Sequence, residues 1–247
     1  MNLLEMLWER IVAGFSQAAV PVVPLPELLM VIAVAIVLSV PRATWKYFGL
    51  LATVVHELGH AFAALSSGQR LGGIQLRLNH SGTTLSFSRG RFPAIWSGFW
   101  GYPVPAIVGA SLVWAGFNGW GPAAMSLGVI ILLAALLFIR NAVGVLIMAA
   151  GILLACALVL FVPPELNSHL VIVLGLALLV AAVRDLGKLI HVHFRRREQL
   201  ATSDAYLLYR ATSIPSGVWI VLFSSVVGAA WLFAWQPISA VFAIAIP

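Results

Sequence analysis

The chain has 247 residues, 62% of them hydrophobic and only 9% charged, with a mean hydropathy of +1.03. Ordinary soluble domains run near half apolar and a quarter charged, so one aqueous core cannot hide this surface. Lipid must act as solvent, and long apolar runs choose helices over a barrel of short alternating strands. A single Cys, Cys156, excludes a disulfide scaffold. Fourteen Lys and Arg against eight Asp and Glu give a formal charge of +6. In a membrane chain that excess marks the cytoplasmic face and is no sign of nucleic-acid binding.

Residues 1–20 begin with Leu3, Leu4, Leu7, Trp8, Ile11, Val12 and Phe15 at helical spacing, with Glu5, Glu9 and Arg10 elsewhere on the wheel. They are expected to form an amphipathic helix lying on the membrane surface, and residues 21–247 a single transmembrane domain. Seven apolar segments follow: Leu25 to Val40, Trp45 to Ser67, Ala94 to Phe117, Gly121 to Ile139, Ala142 to Val162, Leu166 to about Leu189, and Ser216 to about Ala240. The first is short and crowded by Pro21, Pro24 and Pro26, so the expectation is an all-α polytopic protein with six or seven transmembrane helices. If all seven cross and the N-terminus is cytoplasmic, only Arg42 and Lys46 of the basic residues fall outside, in keeping with the positive-inside rule.

Residues 68–92 break the helical pattern. Ile74, Leu76 and Leu78 alternate with Gln75, Arg77 and Asn79; Leu85 and Phe87 alternate with Ser86 and Ser88. The turn-rich Asn79-His80-Ser81-Gly82 lies between them, which predicts a small β-hairpin directly after the second membrane helix. A hairpin edge can accept an extended peptide by strand addition.

The second segment carries His56, Glu57 and His60 in HELGH. Imidazoles four residues apart share a helical face and can hold one Zn²⁺, while Glu57 can take a proton from water activated by that ion. Chance predicts about 0.004 such H-E-x-x-H matches in a chain of this composition. Three ionisable groups within five positions of a membrane helix are expensive unless they face a polar cavity. The bland alternative has the two His bonded to neighbouring helices and Glu57 paired with an Arg.

Catalytic zinc usually has three protein ligands. Counting from Trp45 and Leu166 as outer ends, His60 and Asp185 lie about 22 Å and about 28 Å inward, whereas His169 is only about 5 Å deep. Asp185 is therefore the leading third ligand, with a plain ion pair to Lys188 as its alternative. Asp204 is the second choice, in Ser203-Asp204-Ala205, where helix capping also accounts for it. His191, His193 and Arg195 to Arg197 are expected to face lipid headgroups, and His80 to be a turn residue.

At this point the chain resembles the site-2 protease family of intramembrane zinc metalloproteases, in its short bacterial members without a PDZ domain. The likeness rests on HELGH, the basic hairpin segment, Gly101 to Ala110 (GYPVPAIVGA), the Asp-containing sixth segment, and SDAYLLYRATSIPSGVW at Ser203 to Trp219. It implies His56 and His60 as ligands, Glu57 as catalytic base, and a third Asp ligand followed by Gly. Asp185-Leu186-Gly187 is the nearest match, with Arg184 where the family has Pro. It further implies Zn²⁺ as cofactor, a bacterial cytoplasmic membrane, and membrane-protein substrates such as single-pass anti-sigma factors. A rival of another class keeps the fold but only binds or retains other membrane segments, motivated by the imperfect setting of Asp185.

Overall fold

The computed structural model describes residues 2–195 and 197–245. Among them ten helices and one hairpin follow in order. The first part runs α1 Leu3–Gly14, α2 Leu25–Ser39, α3 Arg42–Ser66, β1 Arg70–Leu76 and β2 Gly82–Phe87. The second runs α4 Arg91–Phe99, α5 Pro103–Phe117, α6 Gly121–Leu136, α7 Ala142–Phe161, α8 Pro164–Arg195, α9 Asp204–Thr212 and α10 Ser216–Ala245. Four of these, α3, α7, α8 and α10, are long and apolar enough to cross a membrane, while α2, α5 and α6 are apolar but shorter. The protein is thus a multi-pass helical membrane protein with a hairpin after its second apolar helix.

α1 opens on a reciprocal cap, in which Asn2 Oδ1 accepts from the Glu5 amide and the Glu5 carboxylate accepts from the Asn2 amide. Its Ile11 is buried against Val129 of α6 and Val159 of α7. The expected third span breaks in two, because Pro103 and Pro105 cannot donate within a continuous helix and Pro103 instead opens α5.

The centre of the bundle is the antiparallel pair α5 and α8. Gly109 and Gly175 meet so closely that a Cβ on either would lie 2.6–2.7 Å from the other's carbonyl oxygen. Without a hydrophobic drive between helices in lipid, such small residues let backbones approach and gain dispersion contacts. Ala106, Ala110, Val113, Ile172, Ala177 and Leu179 fill the space around them.

α2 runs parallel to α8. Near their starts His169 Nε2 is 2.8 Å from Glu27 Oε2, and near their ends Arg184 donates to the carbonyls of Ser39 and Val40 at 2.9 Å. This corrects the expected alternation of seven crossings, which required the two helices to be antiparallel. The reason lies in α3. Its Trp45 carries the Arg184 guanidinium 4.1 Å and the Lys188 ammonium 5.1 Å from the ring centre. Fourteen residues later, about 21 Å along the helix, Gly59 packs on Trp100 and Val104, at the start of α5. Both points sit at the end of the bundle where α8 finishes and α5 begins. α3 therefore runs across that end, and Arg42 and Lys46 share it with Arg184 and Lys188.

The hairpin pairs Ile74 with Thr84 and Leu76 with Gly82, with an irregularity at Leu71/Gly73. It folds back along α3 until His80, at φ 63°, brings Nε2 within 3.2 Å of the Lys46 carbonyl and its ring beside Trp45. The outer border of β1 is closed by the α6–α7 connection. Ile74 exchanges backbone bonds with Phe138 and Arg140, and the Asn141 amide bonds both backbone groups of Leu76. β2 has β1 as its only strand partner among the described residues.

Candidate metal centre

Helical spacing puts His56 and His60 on one face of α3, with their Nε2 atoms 3.2 Å apart. The carboxylate that meets them belongs to Asp204, whose Oδ2 is 3.3 Å from His56 Nε2 and 3.2 Å from His60 Nε2. Three donors at 2.0–2.1 Å from a tetrahedral ion stand about 3.3 Å from one another. The observed triangle fits the donor spacing of a zinc site, and this is the one group of three or more metal-type side chains so placed among the described residues.

Local structure explains why Asp204 is available. Ser203, not Asp204, caps α9, its Oγ accepting from the Tyr206 amide at 3.2 Å. The Asp204 carboxylate is thereby left free to turn toward α3. Buried Ala205 and Leu208 pack among Leu186, Leu189, Trp219 and Phe223, which holds α9 in place. Burial pushes the Asp204 carboxyl upward, but the imidazoles opposite it, His60 foremost, hold it below the usual carboxylate range.

His60 Nδ1 lies 2.7 Å from the Ser97 carbonyl of α4 and donates to it, so a neutral ring would carry its lone pair on Nε2. Gly101 sits over both ligand nitrogens, and a Cβ there would lie 2.7 Å from His56 Nε2 and closer still to His60 Nε2. Tyr102 sets its ring edge-on to His56 at 4.9 Å. Glu57 is only 5% exposed, and its Oε2 accepts from the Thr84 hydroxyl at 2.6 Å. His56, Glu57, His60, Thr84 and Tyr102 line a cavity of about 880 Å³ that also reaches the hairpin tip.

A profile of the Peptidase M50B-like family matches residues 29–234. The chain belongs to that family. M50B-like proteins form a site-2 protease family, and membership indicates a metallopeptidase. The matched span contains His56, Glu57, His60, Ser97 and Asp204, so every part of the site lies within the M50B-like region. No curated protein and no solved structure shows a significant match to the chain.

The structure brings His56, Glu57, His60 and Asp204 together, but not Asp185. The Asp185 carboxylate sits on the cavity wall, 2.8 Å from the Lys188 ammonium, and is outside the group of ligand atoms that lie within 4.8 Å of one another. The expectation for Asp185 used depth measured from Trp45 as an outer end; Trp45 lies beside Arg184 instead, so the measure fails. The i,i+3 ion pair is what the structure shows. His169 is paired with Glu27 at the far end of the bundle. His193 Nδ1 is 2.9 Å from the Leu189 carbonyl, and Arg196 and the side chain of Arg197 lie outside the described residues. Ser97 and Thr84 have no sequence signal of their own and Gly82 signals only a turn, since each matters at the site through what tertiary packing sets beside it.

Proposed function

We propose that the chain is a zinc-dependent intramembrane endopeptidase that cuts peptide bonds in or near transmembrane segments. The observation that carries this is the His56–His60–Asp204 triangle with the Glu57 carboxylate held beside it in a cavity. Zinc bound there would supply Lewis acidity, polarising a carbonyl and bringing water's pKa toward neutrality. Glu57 accepts a proton from the attacking water and then delivers it to the leaving nitrogen as the C–N bond breaks. The net change is addition of water across one peptide bond. Asp204 would neutralise part of the ion's charge, and Ser97 would keep the His60 ring in the ligating tautomer.

A substrate helix hides its carbonyls in its own hydrogen bonds and must unwind before attack. The open border of β2, which runs past Glu57, is suited to receive the unwound strand. We take the chain's substrates to be membrane proteins, single-pass regulators such as anti-sigma factors among them, and its place to be a bacterial cytoplasmic membrane. Arg42, Lys46, Arg77, Arg140, Arg184 and Lys188 all gather at the end that holds the site. By the positive-inside rule we place that end in the cytoplasm. The start of α2 then lies on the opposite face, which reverses the placement of the N-terminal side made from sequence.

The deciding experiment uses purified zinc-loaded protein. Glu57→Gln is expected to retain about one zinc per chain and to lose cleavage of an apolar-helix peptide by at least about a hundredfold. Unchanged cleavage by that variant would overturn the mechanism.

A further inference from the structure

We propose that Thr84 is a positioning residue for Glu57, and that one face of β2 forms the seat in which the catalytic carboxylate is held. The proposal deepens the protease reading above and rests on it. Thr84 Oγ1 is 2.6 Å from Glu57 Oε2 and 3.1 Å from the Glu57 carbonyl oxygen. The hydroxyl has one proton to give, and the shorter, charge-assisted bond to the carboxylate takes it. Buried carboxylates are costly without a donor, and this hydroxyl is a donor that Glu57 has.

The second wall is Gly82. A Cβ there would lie 2.6 Å from Glu57 Cδ and closer still to Cγ and Oε1, so only a bare backbone fits against the carboxylate. Gly82 and Thr84 are two residues apart and therefore face the same side of the strand. Their face is half-buried, while Thr83, Leu85 and Phe87 on the other face are exposed. The strand is itself anchored at both ends. Ser86 Oγ donates to Gln69 Oε1 at 2.9 Å, and His80 at the turn meets Lys46. β2 thus fixes the base with its inner face and keeps its outer border for a docking strand. The pleat of one strand sets the offset between the proton acceptor and the docked peptide, so base and scissile bond are aligned by the same element.

The test compares Thr84→Val, which keeps the shape and removes the hydroxyl, with Thr84→Ser, which keeps the hydroxyl. Both are made in the full chain, loaded with zinc in detergent micelles and assayed with a quenched fluorescent peptide carrying one apolar helix. Thr84→Val is expected to lower kcat about 10- to 100-fold, the scale of a misplaced catalytic group, with KM and zinc content unchanged. Thr84→Ser should recover kcat to within about threefold. Wild-type kcat in Thr84→Val overturns the proposal. So does a loss that falls on KM together with faster amide exchange across the hairpin, which is the mark of a structural brace. A readout free of turnover separates this from failure of the protease reading. The Glu57 carboxylate stretch, isolated as the infrared difference between wild type and Glu57→Gln, should shift in Thr84→Val and return in Thr84→Ser. An unmoved band refutes the Thr84–Glu57 contact whether or not the protein cleaves anything.

Discussion

Three side chains on two distant parts of the chain form the candidate metal site, and the two Asp residues can be told apart by experiment. Asp204 closes a donor triangle with edges of 3.2–3.3 Å, whereas Asp185 is occupied by Lys188. Asp204→Ala is expected to weaken zinc binding by more than the roughly 10- to 100-fold that loss of an outer-shell partner costs. Asp185→Asn should leave zinc stoichiometry unchanged. Metal analysis after dialysis reads both, and the opposite pattern would return the ligand role to Asp185. HELGH was legible because its spacing is local, one helical turn. The carboxylate that meets the two imidazoles was only the second choice from sequence, since its place depends on where a helix some 140 residues later packs. Ser203 and Asp204 both suit a cap, and only the folded backbone shows which one takes it. On the proposed reading Asp204 takes the ligand place that the setting of Asp185 made doubtful, and zinc content of the purified protein separates the enzyme from a purely binding role.

At the scale of elements, the hairpin and the apolar helices were written in their periodicities, two for residues 70–87 and continuous runs for the spans. Direction was not. Hydropathy gives length, and counting basic residues gives side, but only if every apolar run crosses. α3 does not keep that condition: Trp45 beside Arg184 and Gly59 beside Trp100 both lie at the bundle end, where its His and Glu face a cavity. The cross-strut is held by Arg184, which caps α2 and stacks on Trp45 at once. The contact that supports all of this is the glycine seam between α5 and α8. In Gly175→Val the new side chain would meet the backbone of Gly109 and Val113 within 2.6–2.8 Å. Neither backbone can give way cheaply, so a destabilisation of about 1–3 kcal/mol or more is expected, seen as a lower Tm in detergent. A Tm equal to wild type would show that the seam is looser than drawn.

For the whole molecule, the two ends of the bundle differ in kind. One carries the cavity, the hairpin and most of the positive charge; the other carries the Glu27–His169 pair and the α5–α6 turn, where the Ala18 amide bonds the Gly119 carbonyl. The proposed orientation follows from this polarity and is tested by single-cysteine labelling in a Cys156→Ser background. A membrane-impermeant maleimide added to intact cells should label Gln17→Cys and spare Ser88→Cys. The reverse pattern would invert the protein in its membrane.

The sealed flank of β1 carries a last consequence. If substrate docks by strand addition as proposed, a ribbon that can widen on one border alone would admit a single guest, laid in one lane beside the carboxylate. Competing partners would then differ by how they slide along that lane rather than by how many can be seated. Under that proposal selectivity would be a matter of register: which residue of the guest comes to rest opposite Thr84.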